Sequence, residues 1–101
     1  MGKFVLAYSG GSMAETEEAQ QAAMAAWGTW FGELGSAVVD GGAPFGASAA
    51  VGGGGARSGL TGYSVLEASD LESATKLAGG CPVLAGGGSV DVYEALDVGG
   101  P

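Results

Sequence analysis

Cys81, the only cysteine in the chain, is the first residue whose type could support chemistry. A catalytic thiol needs a neighbouring base or a positive environment to form the thiolate. The chain contains no histidine, and the nearest basic residue in sequence is Lys76. Cys81 also follows a predicted helix end and precedes Pro82, where a small apolar side chain can fill a gap. We therefore predict a structural cysteine and not a nucleophile.

Two glycine runs could form phosphate-binding loops. A P-loop requires a lysine after its last glycine, and a dinucleotide-binding loop places its glycines between a strand and a helix. The run 86–88 precedes a predicted strand and has no lysine after it, and the run 52–55 is not followed by a predicted helix. Both runs are therefore predicted to be turns, although Arg57 could draw an anionic ligand towards the second one.

Four aromatic side chains and one carboxylate form the candidate ligand pocket. Trp27 and Trp30 share one stripe of a predicted helix, and Tyr8 and Tyr63 lie on predicted strands, with Asp40 near the rim. Aromatic residues at helical spacing also occur in ordinary cores, so a sealed core is the alternative. Tyrosine and tryptophan each keep a polar group, which suits a partly open pocket.

The residue types argue against a metal or a cofactor. With no histidine and one cysteine, the chain lacks the ligands of a zinc site. Its carboxylates could bind magnesium or calcium, but no spacing such as that of an EF-hand loop occurs. We expect no metal site and no cofactor.

The apolar pattern predicts six elements that would position these residues. Strand patterns cover 3–9, 36–42, 62–68 and 89–95, and the long glycine-rich segment between the second and third of them could hold a further arm near 47–51. A helix is predicted over 13–35, with its apolar face at Ala23, Met24, Trp27, Trp30, Phe31 and Leu34. A second, shorter helix follows the third strand, with its apolar face at Leu71, Ala74, Leu77 and Ala78.

Both helices have recognisable end signals. Ser12 with Glu15, and Ser69 with Glu72, match the capping-box pattern at a helix start. Gly35 stands where a helix commonly ends in a left-handed residue.

The order strand, helix, strand, strand, helix, strand predicts an α+β, ferredoxin-like βαββαβ fold. Right-handed crossovers would place both helices on one face of a four-stranded antiparallel sheet, with the first and third strands in the centre. Because the other face would stay bare, we expect a homodimer. We predict a single domain over 1–97 and a loose tail over 98–101.

Charge and composition exclude several kinds of partner. Three basic residues face eleven acidic ones, for a net charge of −8. Nucleic-acid binding and binding to an anionic membrane surface both need basic side chains, so neither is expected. The chain has no apolar run of the roughly 18 residues that span a membrane. A single cysteine cannot form an internal disulfide, which fits a reducing, cytoplasmic location.

The segment "GYSVLEASDLESATKLAGGCPVLAGGGSVDVYE" (62–94) resembles the second half of the YCII-related family, also called DGPF-domain proteins. The segment "WGTWFGELGSAVVDGGAPF" (27–45) resembles the first half more loosely. The resemblance implies a ferredoxin-like fold assembled as a dimeric α+β barrel. Some members have a histidine–aspartate pair beside the first helix; this chain has no histidine, and Asp40 is the nearest candidate for the aspartate.

Three functions remain open from the sequence. The first is a homodimer that binds a small apolar or aromatic molecule in the aromatic cleft without catalysis. The second is a cofactor-free enzyme (an isomerase, lyase or oxygenase on a small aromatic or lactone), with Asp40 as general base and Tyr8 or Tyr63 as proton donor. The third is an acidic module that binds a basic protein. A buried Asp40 would favour the enzyme, and an exposed one the binding protein.

Overall fold

A computed structural model describes residues 2–10, 16–49, 51–52 and 60–96. Its elements are β1 (Gly2–Ser9), α1 (Glu17–Leu34), β2 (Val38–Pro44), β3 (Leu60–Ala68), α2 (Leu71–Ala78) and β4 (Ser89–Ala95). Two short 3-10 turns, Gly35–Ala37 and Pro82–Leu84, follow the two helices. The four strands form one antiparallel sheet in the order β2-β3-β1-β4. The predicted α+β class and the central positions of the first and third strands are confirmed.

Alternation along the central strands separates the two faces of the sheet. Phe4, Leu6 and Tyr8 of β1 are buried, and Val5 and Ala7 between them are only half-buried. On β3 the buried residues are Gly62, Ser64, Leu66 and Ala68. Since successive side chains of a strand point to opposite faces, the buried row marks the face under the helices.

Both helices pack on this face. Trp30 of α1 lies in one buried cluster with Leu6, Tyr8 and Leu66. Ala74 of α2 packs in a second cluster with Phe4 and Ala68. In the described part of the chain no helix covers the other face, which we call the open face. Its centre is a cross-strand row, because Val5 pairs with Val65 on one side and with Tyr93 on the other.

The predicted start of α1 is wrong by four residues. Thr16 has extended backbone angles, and its Oγ1 accepts a hydrogen bond from the Ala19 amide at 3.0 Å, so the helix begins at Glu17. The predicted Ser12–Glu15 box lies outside the described residues. The predicted end is confirmed, because α1 stops at Leu34 and Gly35 has φ +56°.

The cap of α2 is also displaced, by one residue from the predicted Ser69. The Asp70 carboxylate accepts a hydrogen bond from the Ser73 amide at 2.8 Å, which satisfies a free amide of the first turn. A carboxylate at this position also interacts favourably with the helix dipole. Ser69 instead contacts the Ser73 hydroxyl at 3.1 Å.

The strands agree with the sequence pattern except at β2. The range of β4 is as predicted, and β3 begins two residues earlier. β2 starts at Val38 and not at 36, because residues 35–37 form a 3-10 turn. The further arm near 47–51 is not formed by its described residues, 47–49 and 51. The tail 98–101 lies outside the described residues.

Candidate functional site

Three of the five predicted pocket residues lie together between α1 and the sheet. The rings of Tyr8 and Trp27 meet edge to face with centroids 5.2 Å apart. Trp27 and Trp30 meet in the same way at 5.7 Å, and Phe31 contacts both tryptophans. Edge-to-face pairs stabilise such a cluster beyond the burial of the rings. Tyr8 and Trp30 are buried, whereas Trp27 and Phe31 are half-buried.

The other two predicted residues, Asp40 and Tyr63, belong to the open face. Tyr63 pairs with Ala7, so its side chain lies on the side of the sheet away from the helices. Its hydroxyl donates to Asp40 Oδ2 at 3.3 Å, and its ring stacks on Phe45 with centroids 5.8 Å apart. Asp40 is exposed. The structure therefore places the five residues in two groups, on opposite faces of the sheet.

A cleft of about 470 Å³ opens beside the first group. Trp27, Phe31 and Met24 of α1 form one wall, and Tyr8 and Val83 lie at its base. The other wall is residues 41–44 of β2 and 61–64 of β3. Tyr63 thus borders the cleft, although its hydroxyl contacts Asp40 on the other face.

A wider groove lies beside the cleft because the large side chains of α1 are in its C-terminal half and small ones are in its N-terminal half. The rings of Trp27, Trp30 and Phe31 hold the C-terminal half of the helix at a distance from the sheet. The N-terminal half presents Ala19, Ala22, Ala23 and Ala26, which are too short to reach across that distance and are exposed. An open groove of about 1170 Å³ runs along these alanines.

A bulge in β2 shapes the opposite wall. Val38 pairs with Leu66, Asp40 with Val65 and Ala43 with Tyr63, so β2 has one extra residue between Val38 and Asp40 and a second between Asp40 and Ala43. Asp40 Oδ1 accepts a hydrogen bond from the Gly42 amide at 2.8 Å, and Gly42 has φ +77°. Asp40 therefore has a clear local role, which is to hold the bulge.

The polar groups at the base of the cleft already have partners. The Tyr8 hydroxyl donates to Ser64 Oγ at 2.7 Å, and Ser64 Oγ donates to the Gly41 carbonyl at 2.8 Å. Within the described residues no buried side-chain polar atom lacks a partner. The cleft therefore offers a ligand mainly apolar and aromatic surface.

Burial raises the pKa of Tyr8 to about 12, against a lowering effect of its hydrogen bond to Ser64. Since the tyrosine of an unfolded chain titrates near pH 10, the native state holds this proton more tightly. This contribution to stability is complete below about pH 10 and is lost as the pH rises towards about 12. Tyr8 is thus a neutral hydroxyl at physiological pH.

We expect Tyr8→Phe to reduce the alkaline loss of stability. The wild-type free energy of unfolding should fall by about 2 to 3 kcal/mol more than that of the variant between pH 9 and 12. At pH 7 the variant should cost about 1 kcal/mol, because Ser64 still donates to Gly41. Urea denaturation at a series of pH values measures both effects. Equal pH dependence in the two proteins would show that Tyr8 does not titrate from a buried position.

Cys81 has the surroundings of a packing residue. Only 3% of it is exposed, and it lies in the same buried cluster as Trp30. Burial raises the pKa of its thiol, and hydrogen bonding with the Val83 backbone and the Tyr8 hydroxyl partly opposes this. A higher pKa leaves less thiolate at neutral pH, which supports the predicted structural role.

The glycine run 86–88 closes a turn. The Gly88 amide donates to the Val83 carbonyl at 2.9 Å, and Gly87 has φ +86°. This geometry supports the predicted turn and leaves no helix start for a phosphate. In the other run, residues 53–55 and Arg57 lie outside the described residues.

The described part of the chain has neither a metal-binding cluster nor a membrane-spanning helix. Residues 2–10, 16–49, 51–52 and 60–96 contain no group of three or more histidine, cysteine or carboxylate side chains placed to hold a metal ion. In the same ranges no helix is both long and apolar enough to cross a membrane.

Sequence reasoning did not assign Met24, Phe31 or Val83 to the pocket. Met24 and Phe31 were recognised only as part of the apolar stripe of α1, where their spacing from Trp27 is the signal that could have found them. Val83 follows the Cys81-Pro82 pair in a 3-10 turn, and no sequence pattern links it to the cleft.

Comparison with protein-family models, curated proteins and solved structures found no match. The resemblance to the YCII-related family stays a prediction.

Proposed function

We propose that this protein binds a small, planar, apolar molecule in the cleft between α1 and the sheet. The observation that supports this most is the cleft itself, at about 470 Å³ and bordered by Tyr8, Trp27 and Phe31. Ligand pockets commonly have volumes of roughly 300 to 1,000 Å³ and are lined mainly by apolar and aromatic groups. Met24 at the cleft is 74% exposed, so a ligand would also cover an apolar side chain that now faces water.

The charge of the chain narrows the ligand class. With a net charge of −8, the protein repels anions at low salt. The hydroxyls of Tyr8 and Ser64 are already engaged with each other and with Gly41. We therefore propose a neutral or cationic ligand that is held by ring contacts.

The position of Asp40 favours binding over catalysis. Its carboxylate is exposed on the open face and accepts hydrogen bonds from the Gly42 amide and the Tyr63 hydroxyl. A general base must lie within hydrogen-bond reach of the proton that it removes. A ligand among Tyr8, Trp27 and Phe31 would have the sheet between itself and this carboxylate.

N-phenyl-1-naphthylamine, a neutral aromatic probe whose emission rises in apolar sites, tests the proposal directly. We expect saturable binding to the wild type. Trp27→Ala should weaken binding about tenfold, which corresponds to about 1.4 kcal/mol for a lost ring contact. Tyr93→Ala removes an exposed ring from the open face and is the matched control, expected to leave the affinity unchanged.

Each other outcome would count against the proposal. Absence of saturable binding would remove it for this ligand class. Equal losses in Trp27→Ala and Tyr93→Ala would place the probe outside the cleft. If Asp40→Asn weakened probe binding as much as Trp27→Ala does, Asp40 would belong to the ligand site.

We further propose that two copies associate through their open faces. The support is the apolar row of Val65, Val5 and Tyr93 across three neighbouring strands, in which Tyr93 is 58% exposed. Asp40 and Asp91 belong to the same face, since Asp91 pairs with Ala7 and Asp40 contacts Tyr63. Lys3 and Glu67 pair with each other on this face as well, so the described part of each copy brings three carboxylates and one ammonium group to the interface. The net repulsion across a twofold axis should be screened by salt, which should therefore strengthen the dimer.

Light scattering at micromolar concentration should give about twice the 9.7 kDa chain mass, with tighter association at higher salt. Tyr93→Glu should give a monomer, because it adds a charge to the apolar row. Leu71→Glu adds the same charge at an exposed position of α2 and should stay dimeric. A monomeric wild type, or an unchanged mass for Tyr93→Glu, would overturn the proposed interface.

A further inference from the structure

The N-terminal half of α1 has few contacts with the rest of the domain. Residues 17–26 are all exposed, and Trp30 is the only buried residue of the helix. The anchor lies further along, where Trp30 Nε1 donates to the Leu77 carbonyl at 3.3 Å and where Phe31 and Leu34 pack on the core. We call residues 17–26 the arm. It projects over the cleft on one side and over the wider groove on the other.

Gly28 stands between the arm and the anchor. A glycine in a helix interior costs roughly 1 kcal/mol relative to alanine. Packing does not require it here, because a Cβ built on Gly28 meets nothing within 4 Å. A residue that disfavours its own secondary structure, and that packing does not require, is commonly found at a functional position. Glycine is also a common site of helix bending.

We propose that the arm is a movable cover for the cleft, which bends at Gly28 and closes Met24 onto a bound ligand. This rests on the ligand-binding cleft proposed above. Closure would bury the side chain of Met24, which is now 74% exposed, and this favours the closed state once a ligand fills the space beneath it. A helix rises 1.5 Å per residue, so a bend of about 20° at Gly28 moves residue 18 by roughly 5 Å.

Spin labels can follow this motion by double electron–electron resonance. In a Cys81→Ala background, one label pair is placed at Glu18→Cys in the arm and Thr75→Cys on α2, both exposed positions. The control pair, Glu33→Cys with Thr75→Cys, reports on the anchored end of the same helix. We expect a broader distance distribution for the arm pair than for the control pair. Saturating N-phenyl-1-naphthylamine should narrow it and shift its mean by about 5 Å, with the control pair unchanged.

Two glycine variants test the position of the hinge. Gly28→Ala should narrow the arm distribution without the probe and remove most of the shift on binding. Gly32→Ala is the matched control, because Gly32 is also an interior glycine whose added Cβ meets nothing within 4 Å, but it lies within the anchored half. It should behave like the parent protein.

The outcomes separate the cover from the ligand site. If the probe binds and the arm pair does not shift, the cover is wrong and the ligand site stands. A different outcome is that the probe does not bind, while the distance distribution of the arm pair is broader than that of the control pair and narrows only in Gly28→Ala. The hinge would then be supported and this ligand class would be wrong. An arm pair as narrow as the control pair, or equal effects of the two glycine variants, would overturn the cover.

Discussion

Gly42→Ala is expected to lower the free energy of unfolding by about 4 kcal/mol, a large share of the roughly 5 to 15 kcal/mol of a typical domain. Gly42 has φ +77°, a conformation that residues with a Cβ adopt at a cost. A Cβ at this position would also collide with the carbonyl oxygen of Tyr63, which belongs to the neighbouring strand and cannot turn aside as a flexible side chain can. Urea denaturation followed by circular dichroism measures the loss.

The neighbouring glycine provides the control. Gly41 is also in β2, but its φ is not positive and an added Cβ meets nothing within 4 Å. Gly41→Ala should therefore stay within about 0.5 kcal/mol of the wild type. Because the bulge forms a wall of the cleft, Gly42→Ala should also abolish probe binding under conditions where it is still folded. Similar stabilities for the two variants would show that the bulge is not formed as described.

The same bulge marks the limit of what the sequence could predict. The glycines at 41 and 42 indicated only the end of a strand, and nothing in their spacing showed that β2 continues to Pro44 with two extra residues relative to β3. The side of the sheet on which Asp40 lies depends on this register. Asp40 was therefore placed at the rim of a cleft from which the sheet separates it.

The regular elements were predictable for a physical reason. Tyr8, Leu6 and Phe4 on one row and the stripe from Trp27 to Leu34 carry periods that only a strand and a helix match. The strand 89–95 was predicted with the bounds that the structure shows, because a glycine precedes it and a loop pattern follows it. Cap positions were less certain, since Ser69 and Asp70 are adjacent and both are good acceptors; the tertiary structure selects Asp70.

The arm of α1 could not be predicted from its pattern. Ala23 and Met24 continue the apolar stripe of Trp27, Trp30 and Phe31, so periodicity assigned them to the core. Periodicity shows which side chains are apolar, but it does not show how far they extend. The bulky rings hold the helix at a distance from the sheet that an alanine side chain cannot fill. The groove along the arm is thus a consequence of side-chain size, which becomes visible only when the helix is placed on the sheet.

Trp30→Ala is the second variant for which we expect a large loss, about 4 kcal/mol. Trp30 is 5% exposed and is the only buried residue of α1. Its ring contacts Trp27 and Phe31, and its indole nitrogen donates to the Leu77 carbonyl at 3.3 Å. Gly80 packs so closely on the ring that a Cβ there would be 3.1 Å from the indole nitrogen, so removal of the ring also removes this contact.

Two further tryptophan variants separate anchoring of α1 from ring contact in the cleft. Trp30→Phe keeps a buried ring but loses the indole hydrogen bond to the Leu77 carbonyl, which still accepts a hydrogen bond from the Gly80 amide at 3.2 Å. Its cost should therefore be intermediate, about 1 to 2 kcal/mol. Trp27→Ala removes a half-buried ring and should cost about 2 kcal/mol, while it weakens probe binding more than Trp30→Phe does. Urea denaturation ranks the three variants by loss of stability, and probe titration ranks them by loss of affinity. If Trp30→Ala proved no more destabilising than Trp27→Ala, Trp30 would not be the residue that holds α1 on the sheet.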